Sequence, residues 1–197
     1  MVSRKPPKFS LRIKRFTDSP VHRLNIKTLL SPLVSNTCFM DEARILVEKL
    51  AAKMLAAGAW VATAESCTGG NIAHQITLVP GSSAWFKGGV VSYTNQVKMN
   101  VLSVPQELID SYTEVSHQVA EAMAEGARRV TGADFAVSTT GIAGPTGATA
   151  TDPVGTVYIG VATPKKVVST RVVFGTDRQQ NIGLFTVAAL ELLLANV

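Results

Sequence analysis

A turn that carries hydroxyl groups, between a short apolar segment and a helical pattern, is the first place where this sequence could do chemistry. Residues 60–62 read as a buried strand, and the pattern from Asn71 onward reads as the first turns of a helix. Such a turn lies at the carboxyl edge of a sheet, beside the unpaired N–H groups that begin the helix. Ser66, with Thr68 close by, would therefore stand beside a site suited to an anion or an oxyanion. The alternative is that both hydroxyls only cap the helix.

A nucleophilic serine needs a base, and the sequence offers lysine rather than histidine for that role. None of the three histidines, His22, His74 and His117, falls at the expected carboxyl edge, so a Ser-His-Asp triad fits poorly. Lys98 follows Tyr93 by five residues across a strand-to-helix junction, so both side chains could face one pocket. A lysine whose pKa is lowered by burial can accept a hydroxyl proton. The alternatives are a surface lysine and a tyrosine packed in the core.

A glycine-rich loop, residues 141–147, follows a third buried strand. Its backbone N–H groups could hold a phosphate, although it lacks both the Gly-Lys-Ser/Thr ending of a P-loop and the spacing of a dinucleotide fingerprint. Arg178, near the start of the last helix, could pair with a phosphate as well. A flexible turn and an ordinary surface charge are the corresponding alternatives.

The elements that must position these loops alternate between strands and helices. Helical patterns are found at 41–57, after Gly70, after Thr94, after Pro105, at 116–130 and at 177–194. Strands are predicted at 60–64, 88–93, 134–140, 154–163 and 167–174, the last two joined by a hairpin turn. This order favours an α/β fold, a three-layer α/β/α sandwich with a mixed β-sheet. Ligands bind such sheets at the carboxyl ends of the strands, where the loops after the first three strands are expected to meet.

The charge of the chain is unevenly distributed. The formal net charge is +5, yet residues 1–39 hold eight Lys and Arg against one Asp, which leaves 11 basic against 13 acidic residues in 40–197. We predict that 1–39 is a basic extension outside the domain and that 40–197 form the domain, with Met40 as its natural start. The folded domain is not expected to bind nucleic acid. The extension could also be a transit peptide or an arm that touches polyanions.

Composition excludes several classes of protein. Hydrophobic residues make up 46% of the chain, which is typical of a globular domain, and no charge-free apolar run reaches the length that spans a membrane. The two cysteines, Cys38 and Cys67, do not suggest a disulfide framework or a metal site. We therefore expect a cytoplasmic protein that works without a metal or a cofactor.

Five motifs together carry a resemblance to a known family. They are Ala-Glu-Ser-Cys-Thr-Gly-Gly at 64–70, Pro-Gly-Ser-Ser-Ala-Trp-Phe at 80–86, Tyr-Thr-Asn-Gln-Val-Lys at 93–98, Thr-Gly-Ile-Ala-Gly-Pro at 140–145 and Pro-Val-Gly-Thr-Val at 153–157. Over about residues 40–197 the chain resembles the CinA carboxyl-terminal domain family, whose stand-alone members include nicotinamide-nucleotide amidohydrolases of the PncC type. Five motifs in the same order are far more specific than any one of them.

The resemblance implies a three-layer α/β/α fold and a metal-independent hydrolysis in pyridine-nucleotide recycling. The carboxamide of nicotinamide mononucleotide would be converted to nicotinate mononucleotide and ammonia. Ser66 would be the nucleophile, assisted by Tyr93 and Lys98. The substrate-binding residues that we assign are Glu65, Thr68, Gly69, Gly70, Asn95, Thr140, Gly141, Ala143, Gly144 and Arg178. Family precedent also suggests a homodimer or a larger homo-oligomer.

One departure from the family leaves a rival hypothesis open. Family members often carry a second arginine a turn after the position of Arg178, where this chain has Gln-Gln-Asn-Ile at 179–182, so its phosphate contacts would be weaker or built differently. The rival is a non-catalytic nucleotide-binding module connected with competence or DNA damage. Such a module has no need of a nucleophile beside a base, which favours the enzyme. A third hypothesis, DNA binding through residues 1–39, can be tested by deleting them.

Overall fold

The structure is a computed structural model, and it describes residues 36–197. Its sheet has five strands, β1 (Val61–Glu65), β2 (Phe86–Val91), β3 (Phe135–Gly141), β4 (Thr156–Ala162) and β5 (Val167–Val173). Its helices are α1 (Asn36–Ala57), α2 (Asn71–Thr77), α3 (Asn95–Leu102), α4 (Gln106–Tyr112), α5 (His117–Thr131) and α6 (Arg178–Leu194), and a 3₁₀ helix, Ser82–Ala84, precedes β2. Within this described part, no helix has the length and apolar character needed to cross a membrane.

The sheet is mixed, as the sequence predicts. Its strand order is β2-β1-β3-β4-β5, with β1 parallel to both β2 and β3 and with β4 antiparallel to both β3 and β5. Glu65, the last residue of β1, lies opposite Val91 on one side and Thr139 on the other. The three parallel strands therefore end at the same edge of the sheet.

Two apolar cores, one on each face of the sheet, create the three layers. Because side chains alternate along a strand, Val61 and Val137 pack on the face that α1, α2 and α6 cover. Ala62 and Ala136 pack on the opposite face, beneath α3 and α5. The predicted α/β/α sandwich is thus confirmed.

Capping residues mark where three of the helices begin and where one of them ends. The side chains of Thr94, Ser116 and Asp177 each accept a hydrogen bond from the backbone N–H three residues later, which satisfies one free donor in the first turns of α3, α5 and α6. Gly132 ends α5 with a left-handed φ of 68°. The helices therefore begin close to where the sequence pattern predicts them, after Thr94 and at 116 and 177.

The first helix begins earlier than its sequence pattern predicts. α1 starts at Asn36 rather than near Asp41, and Phe39 is 5% exposed with its ring against Gly183 of α6. The contact adds one more packed residue at the upstream end of the helix. The domain boundary at residue 40 stays a prediction, and residues 1–35 of the proposed extension lie outside the described residues.

The second strand is displaced by two residues from its predicted range. β2 occupies Phe86–Val91 rather than 88–93, because its pairing with β1 begins where Val61 lies opposite Phe86. Tyr93 therefore belongs to the loop after the strand and not to the strand itself. This shift places Tyr93 at the carboxyl edge, where the polar loops lie.

Candidate active site

A cleft of about 410 Å³ opens at the carboxyl edge of β1, β2 and β3. The loops that follow these three strands line it, together with the α4–α5 connection and the start of α6. The three loops that were expected to meet at this edge of the sheet do meet there. Clefts of this kind, at the carboxyl ends of strands, are where α/β proteins bind their ligands.

Ser66 stands at the turn between β1 and α2. Its backbone N–H donates to the carbonyl of Thr139 in β3, at 3.0 Å, which fixes the residue beside the neighbouring strand. Gly69 and Gly70 then adopt left-handed φ values of 64° and 101°, which favour glycine and turn the chain into the helix. The side chain of Ser66 lines the cleft while the residue is 9% exposed.

Glu65 anchors this turn from behind. One carboxylate oxygen accepts hydrogen bonds from the backbone N–H groups of Gly70 and Ile72 and from the hydroxyl of Thr68, and the other accepts one from the N–H of Ala73. The residue is only 1% exposed. A carboxylate at a helix N-terminus is stabilised both by these free donors and by the helix dipole. Its position is that of a residue that holds the turn in place.

Lys98 reaches Ser66 from the opposite side of the cleft. Its Nζ donates to Ser66 Oγ at 3.2 Å and to the backbone carbonyl of Ser92 at 3.0 Å. Lys98 lies on the first turn of α3, which the Thr94 cap starts immediately after the loop of β2. The residue is 1% exposed, so its amine is largely shielded from water.

The environment of Lys98 favours its neutral form. Burial lowers the pKa of the ammonium below its ordinary value, while the charge of Glu114 and the nearby Cys67 oppose that shift. A neutral amine can accept the proton of the serine hydroxyl, which an ammonium cannot. Ser66 and Lys98 therefore lie within hydrogen-bonding distance of each other, in an arrangement that would suit a nucleophile and its base.

The described histidines are placed elsewhere. His74 and His117 do not line the cleft in the part of the chain that the structure describes. His117 instead contacts Ser169 Oγ through Nδ1 at 2.9 Å and packs edge-on against the ring of Tyr158. A histidine-based triad is thus absent from residues 36–197, in agreement with the sequence argument.

Tyr93 and Arg178 form a second polar group at the mouth of the cleft. Nη2 of Arg178 donates to the Tyr93 hydroxyl at 3.3 Å, and Nη1 donates to the carbonyl of Gly144 at 2.8 Å. Tyr93 is 60% exposed, and its hydroxyl is not hydrogen-bonded to Ser66 or Lys98. The structure therefore joins Tyr93 to the arginine rather than to the base.

The glycine-rich loop after β3 forms one wall of the cleft. Asn181, buried in α6, donates through Nδ2 to the carbonyls of Ala143 and Gly175, both at 3.0 Å. Gly141 packs so closely against β4 that an added Cβ would collide with the carbonyl of Thr156. Asn181 lies within 179–182, the range that lacks the second arginine expected from the family resemblance. Its hydrogen bonds hold the glycine-rich loop against α6.

The cleft contains most of the residues assigned from the sequence, though not all of them. Its lining includes Ser66, Tyr93, Asn95, Lys98, Thr140, Gly141, Ala143, Gly144 and Arg178. Four others, assigned as substrate-binding, lie behind the lining in the described structure, namely Glu65, Thr68, Gly69 and Gly70. Thr68 is 3% exposed and hydrogen-bonded to Glu65 and Thr139. The geometry gives these four a place in building the turn, and no ligand contact tests their assignment.

Outside the loop 141–147, three residues that line the cleft were not assigned from the sequence, Cys67, Glu114 and Val115. Cys67 could have been found because it follows Ser66 directly. Its pKa is raised to about 12, chiefly by burial, so it remains a thiol at neutral pH and is a poor nucleophile. Glu114 and Val115 had no such signal, because only the fold brings the α4–α5 connection beside β3. Residues 36–197 contain no group of three or more His, Cys, Asp or Glu side chains that could hold a metal ion.

Comparisons with known proteins agree with this architecture. Residues 43–197 match the family model described as the CinA C-terminal domain. A crystal structure of the competence/damage inducible protein CihA from Agrobacterium tumefaciens superposes with a TM-score of 0.76 at 38% identity, covering 78% of this chain and 94% of that one.

Two relatives differ in how much of their length this chain covers. The nicotinamide-nucleotide amidohydrolase PncC of Pseudomonas putida is 44% identical over 155 residues, which are 79% of this chain and 97% of that protein. A CinA-like protein of Desulfosudis oleivorans is 44% identical over 161 residues, which are 81% of this chain and 39% of that protein. The chain spans about two fifths of the length of that relative and of similar longer ones. The match to the family model over residues 43–197 shows that the chain belongs to the CinA C-terminal domain family.

Proposed function

We propose that this protein hydrolyses the carboxamide of nicotinamide mononucleotide to nicotinate mononucleotide and ammonia. The observation that carries the proposal is the 3.2 Å contact between Lys98 Nζ and Ser66 Oγ inside a cleft. The similarity to a nicotinamide-nucleotide amidohydrolase over 97% of that protein's length supports the choice of substrate. A purely structural serine would not need a buried lysine as its partner.

In the first half of the reaction, neutral Lys98 takes the proton of Ser66 as Oγ attacks the amide carbon. The negative charge then develops on the amide oxygen. The backbone N–H groups of Cys67 and Thr68, which follow the nucleophile, donate to no backbone carbonyl among residues 36–197, and we assign them to stabilise that oxyanion. The C–N bond breaks, and the nitrogen leaves as ammonia with the proton that Lys98 received.

In the second half, water releases the acid. Lys98 takes a proton from the water as its oxygen attacks the acyl carbon, and the same proton returns to Ser66 Oγ when the ester bond breaks. Arg178 and the N–H groups of the loop 141–147 are suited to the phosphate, since they lie together on one wall of the cleft. Tyr93 would help to orient the arginine and the substrate, rather than relay a proton to Lys98.

The test is ammonia release from nicotinamide mononucleotide by the full chain without added metal. Ser66→Ala and Lys98→Met should each lower kcat by about 10³-fold or more, because either change disables the nucleophile–base pair. Lys165→Met, in the exposed β4–β5 turn, is the matched control and should keep full activity. Binding of the nucleotide without any ammonia release would contradict the amidase assignment and favour the non-catalytic binding module.

A further inference from the structure

Glu114 is a carboxylate in the cleft that the reaction described above does not use. It lies in the short connection between α4 and α5, and it lines the cleft with Ser66 and Lys98. Among residues 36–197, neither of its side-chain oxygens makes a hydrogen bond or an ion pair. A carboxylate that lines the same cleft as Ser66 and makes no hydrogen bond there is available to a ligand.

The backbone that carries Glu114 is held in place. The hydroxyl of Thr140, at the end of β3, donates to the Glu114 carbonyl, at 2.6 Å. The connection is also closed on itself, because the hydroxyl of Ser116 donates to the carbonyl of Thr113 at 3.1 Å. The backbone of Glu114 is therefore fixed beside the cleft, and its exposed side chain extends from that position.

The charges in the cleft are arranged on different walls. Its ionisable lining residues are Cys67, Tyr93, Lys98, Glu114 and Arg178, of which Glu114 alone is acidic in the described part of the chain. Glu114 and Lys98 line the same cleft, and no ion pair within 4.0 Å joins them. The charge of Glu114 raises the pKa of Lys98, but the carboxylate is not paired with the lysine and can contact a ligand.

We propose that Glu114 is a specificity-determining residue that recognises the positively charged pyridinium ring of the substrate. This inference rests on the proposed function, whose substrate carries a cationic ring at one end and an anionic phosphate at the other. Arg178 and Glu114 offer the opposite charge to each end, which fixes the direction in which the nucleotide enters the cleft. Hydrolysis turns the neutral amide into a carboxylate, and repulsion by Glu114 then favours release of the product.

Two nucleotides that differ in ring charge test this proposal. Nicotinamide mononucleotide has a cationic ring, and its 1,4-dihydro form has a neutral ring of nearly the same shape. Titration calorimetry on full-length Ser66→Ala protein, at one fixed ionic strength, measures their affinities without turnover. We expect the cationic form to bind more tightly, and Glu114→Gln to weaken its binding by about fivefold while leaving the neutral form unchanged. Glu107→Gln, on the exposed side of α4, is the matched control and should change neither affinity.

The alternative outcomes each have one meaning. Equal weakening of both nucleotides by Glu114→Gln would indicate a merely structural role, and an unchanged preference would place ring recognition elsewhere; either result overturns the proposal. Absence of binding by both nucleotides overturns it as well. If the protein with Ser66 intact releases no ammonia while the Glu114-dependent preference persists, the proposed hydrolysis fails and the recognition stands. Product inhibition by nicotinate mononucleotide should become stronger in Glu114→Gln with Ser66 intact.

Discussion

Burial of Lys98 has two consequences: it destabilises the charged amine in the folded chain, and it suits the residue to the proposed role of a base. It is almost completely buried, and its Nζ has two hydrogen-bond acceptors, Ser66 Oγ and the Ser92 carbonyl. A charged amine in this place has lost most of its hydration, which is why burial lowers its pKa. Burial therefore prepares Lys98 to accept a proton and at the same time leaves its charged form poorly hydrated.

This shift predicts the pH dependence of activity. If neutral Lys98 is the base, kcat/KM should rise with pH through the pKa of Lys98, at a pH below the 10.5 of an ordinary lysine. Glu114→Gln removes a charge that raises this pKa, so the rising limb should move to still lower pH. Rate profiles of both proteins between pH 6 and pH 11 measure the effect. A rising limb of kcat/KM centred near the ordinary lysine pKa of 10.5 in both proteins would contradict the role of Lys98 as the base.

The same residue links stability to pH with a definite sign. The pKa of Lys98 is lower in the folded chain than in the unfolded one, so between these two values the unfolded chain binds more protons. The contribution of Lys98 to the free energy of unfolding therefore increases as pH rises through this window. Below the folded-state pKa, the full cost of holding the charged amine is present.

At the scale of elements, the junction between β1 and α2 determines the position of Ser66, the proposed nucleophile. Glu65 ends the strand, and its carboxylate accepts four hydrogen bonds from the turn and the first residues of the helix. Two left-handed glycines allow the backbone to turn so sharply. The position of Ser66 thus depends on the hydrogen bonds of Glu65, the residue immediately before it.

Glu65→Gln tests the strength of this junction. The amide is as large as the carboxylate, but it loses the charge and sets a donor group against N–H donors, so we expect the free energy of unfolding to fall by about 2 kcal/mol. Urea unfolding of the full chain measures the loss. The exposed Glu107→Gln is the matched control and should change stability little. A Glu65→Gln protein as stable as its parent would show that the carboxylate is not needed to anchor α2.

The elements also show what the sequence could predict and what it could not. Thr94, Ser116 and Asp177 act as caps where expected, because capping is a contact between residues three positions apart. Lys98 and Ser66 meet because parallel strands end at one edge, a rule that applies to the whole fold class. The pairing of Tyr93 with Arg178 joins residues 85 positions apart, and no local pattern contains that information. The four hydrogen bonds of Glu65 were not predicted, because its partners come close to the carboxylate only once the turn has formed.

For the whole molecule, the site depends on a mixed sheet, in which β1, β2 and β3 are parallel and β4 is antiparallel to β3 and β5. Three parallel strands bring Ser66, Lys98 and the glycine-rich loop to one edge, and the antiparallel β4 supports that loop from the side through Gly141 and Thr156. Glu114 enters this arrangement only through the packing of the α4–α5 connection against β3. The cationic and anionic walls of the cleft are therefore a property of the assembled fold rather than of any one motif.

At the same scale, residues 1–35 differ in charge from residues 36–197. All eight basic residues of the first 39 lie before position 36, whereas residues 36–197 carry 11 basic against 13 acidic residues. We expect full-length protein to be retained on duplex DNA at low salt, and a variant lacking residues 1–35 not to be retained, because polyanion binding follows clustered positive charge. The logarithm of the binding constant should fall with the logarithm of salt concentration, with a slope no steeper than about −7.

Activity provides the control for this deletion. Within residues 36–197 the cleft is lined by residues after position 65, so we expect ammonia release per molecule to be the same with and without residues 1–35. Retention of DNA that survives the deletion would locate the contact on residues 36–197 and contradict the prediction that the folded domain does not bind nucleic acid. Loss of ammonia release together with DNA retention would instead mean that the first 35 residues support the domain. Comparison of salt titrations with activity assays on the same two proteins separates these outcomes, because charge governs the first measurement and the cleft governs the second.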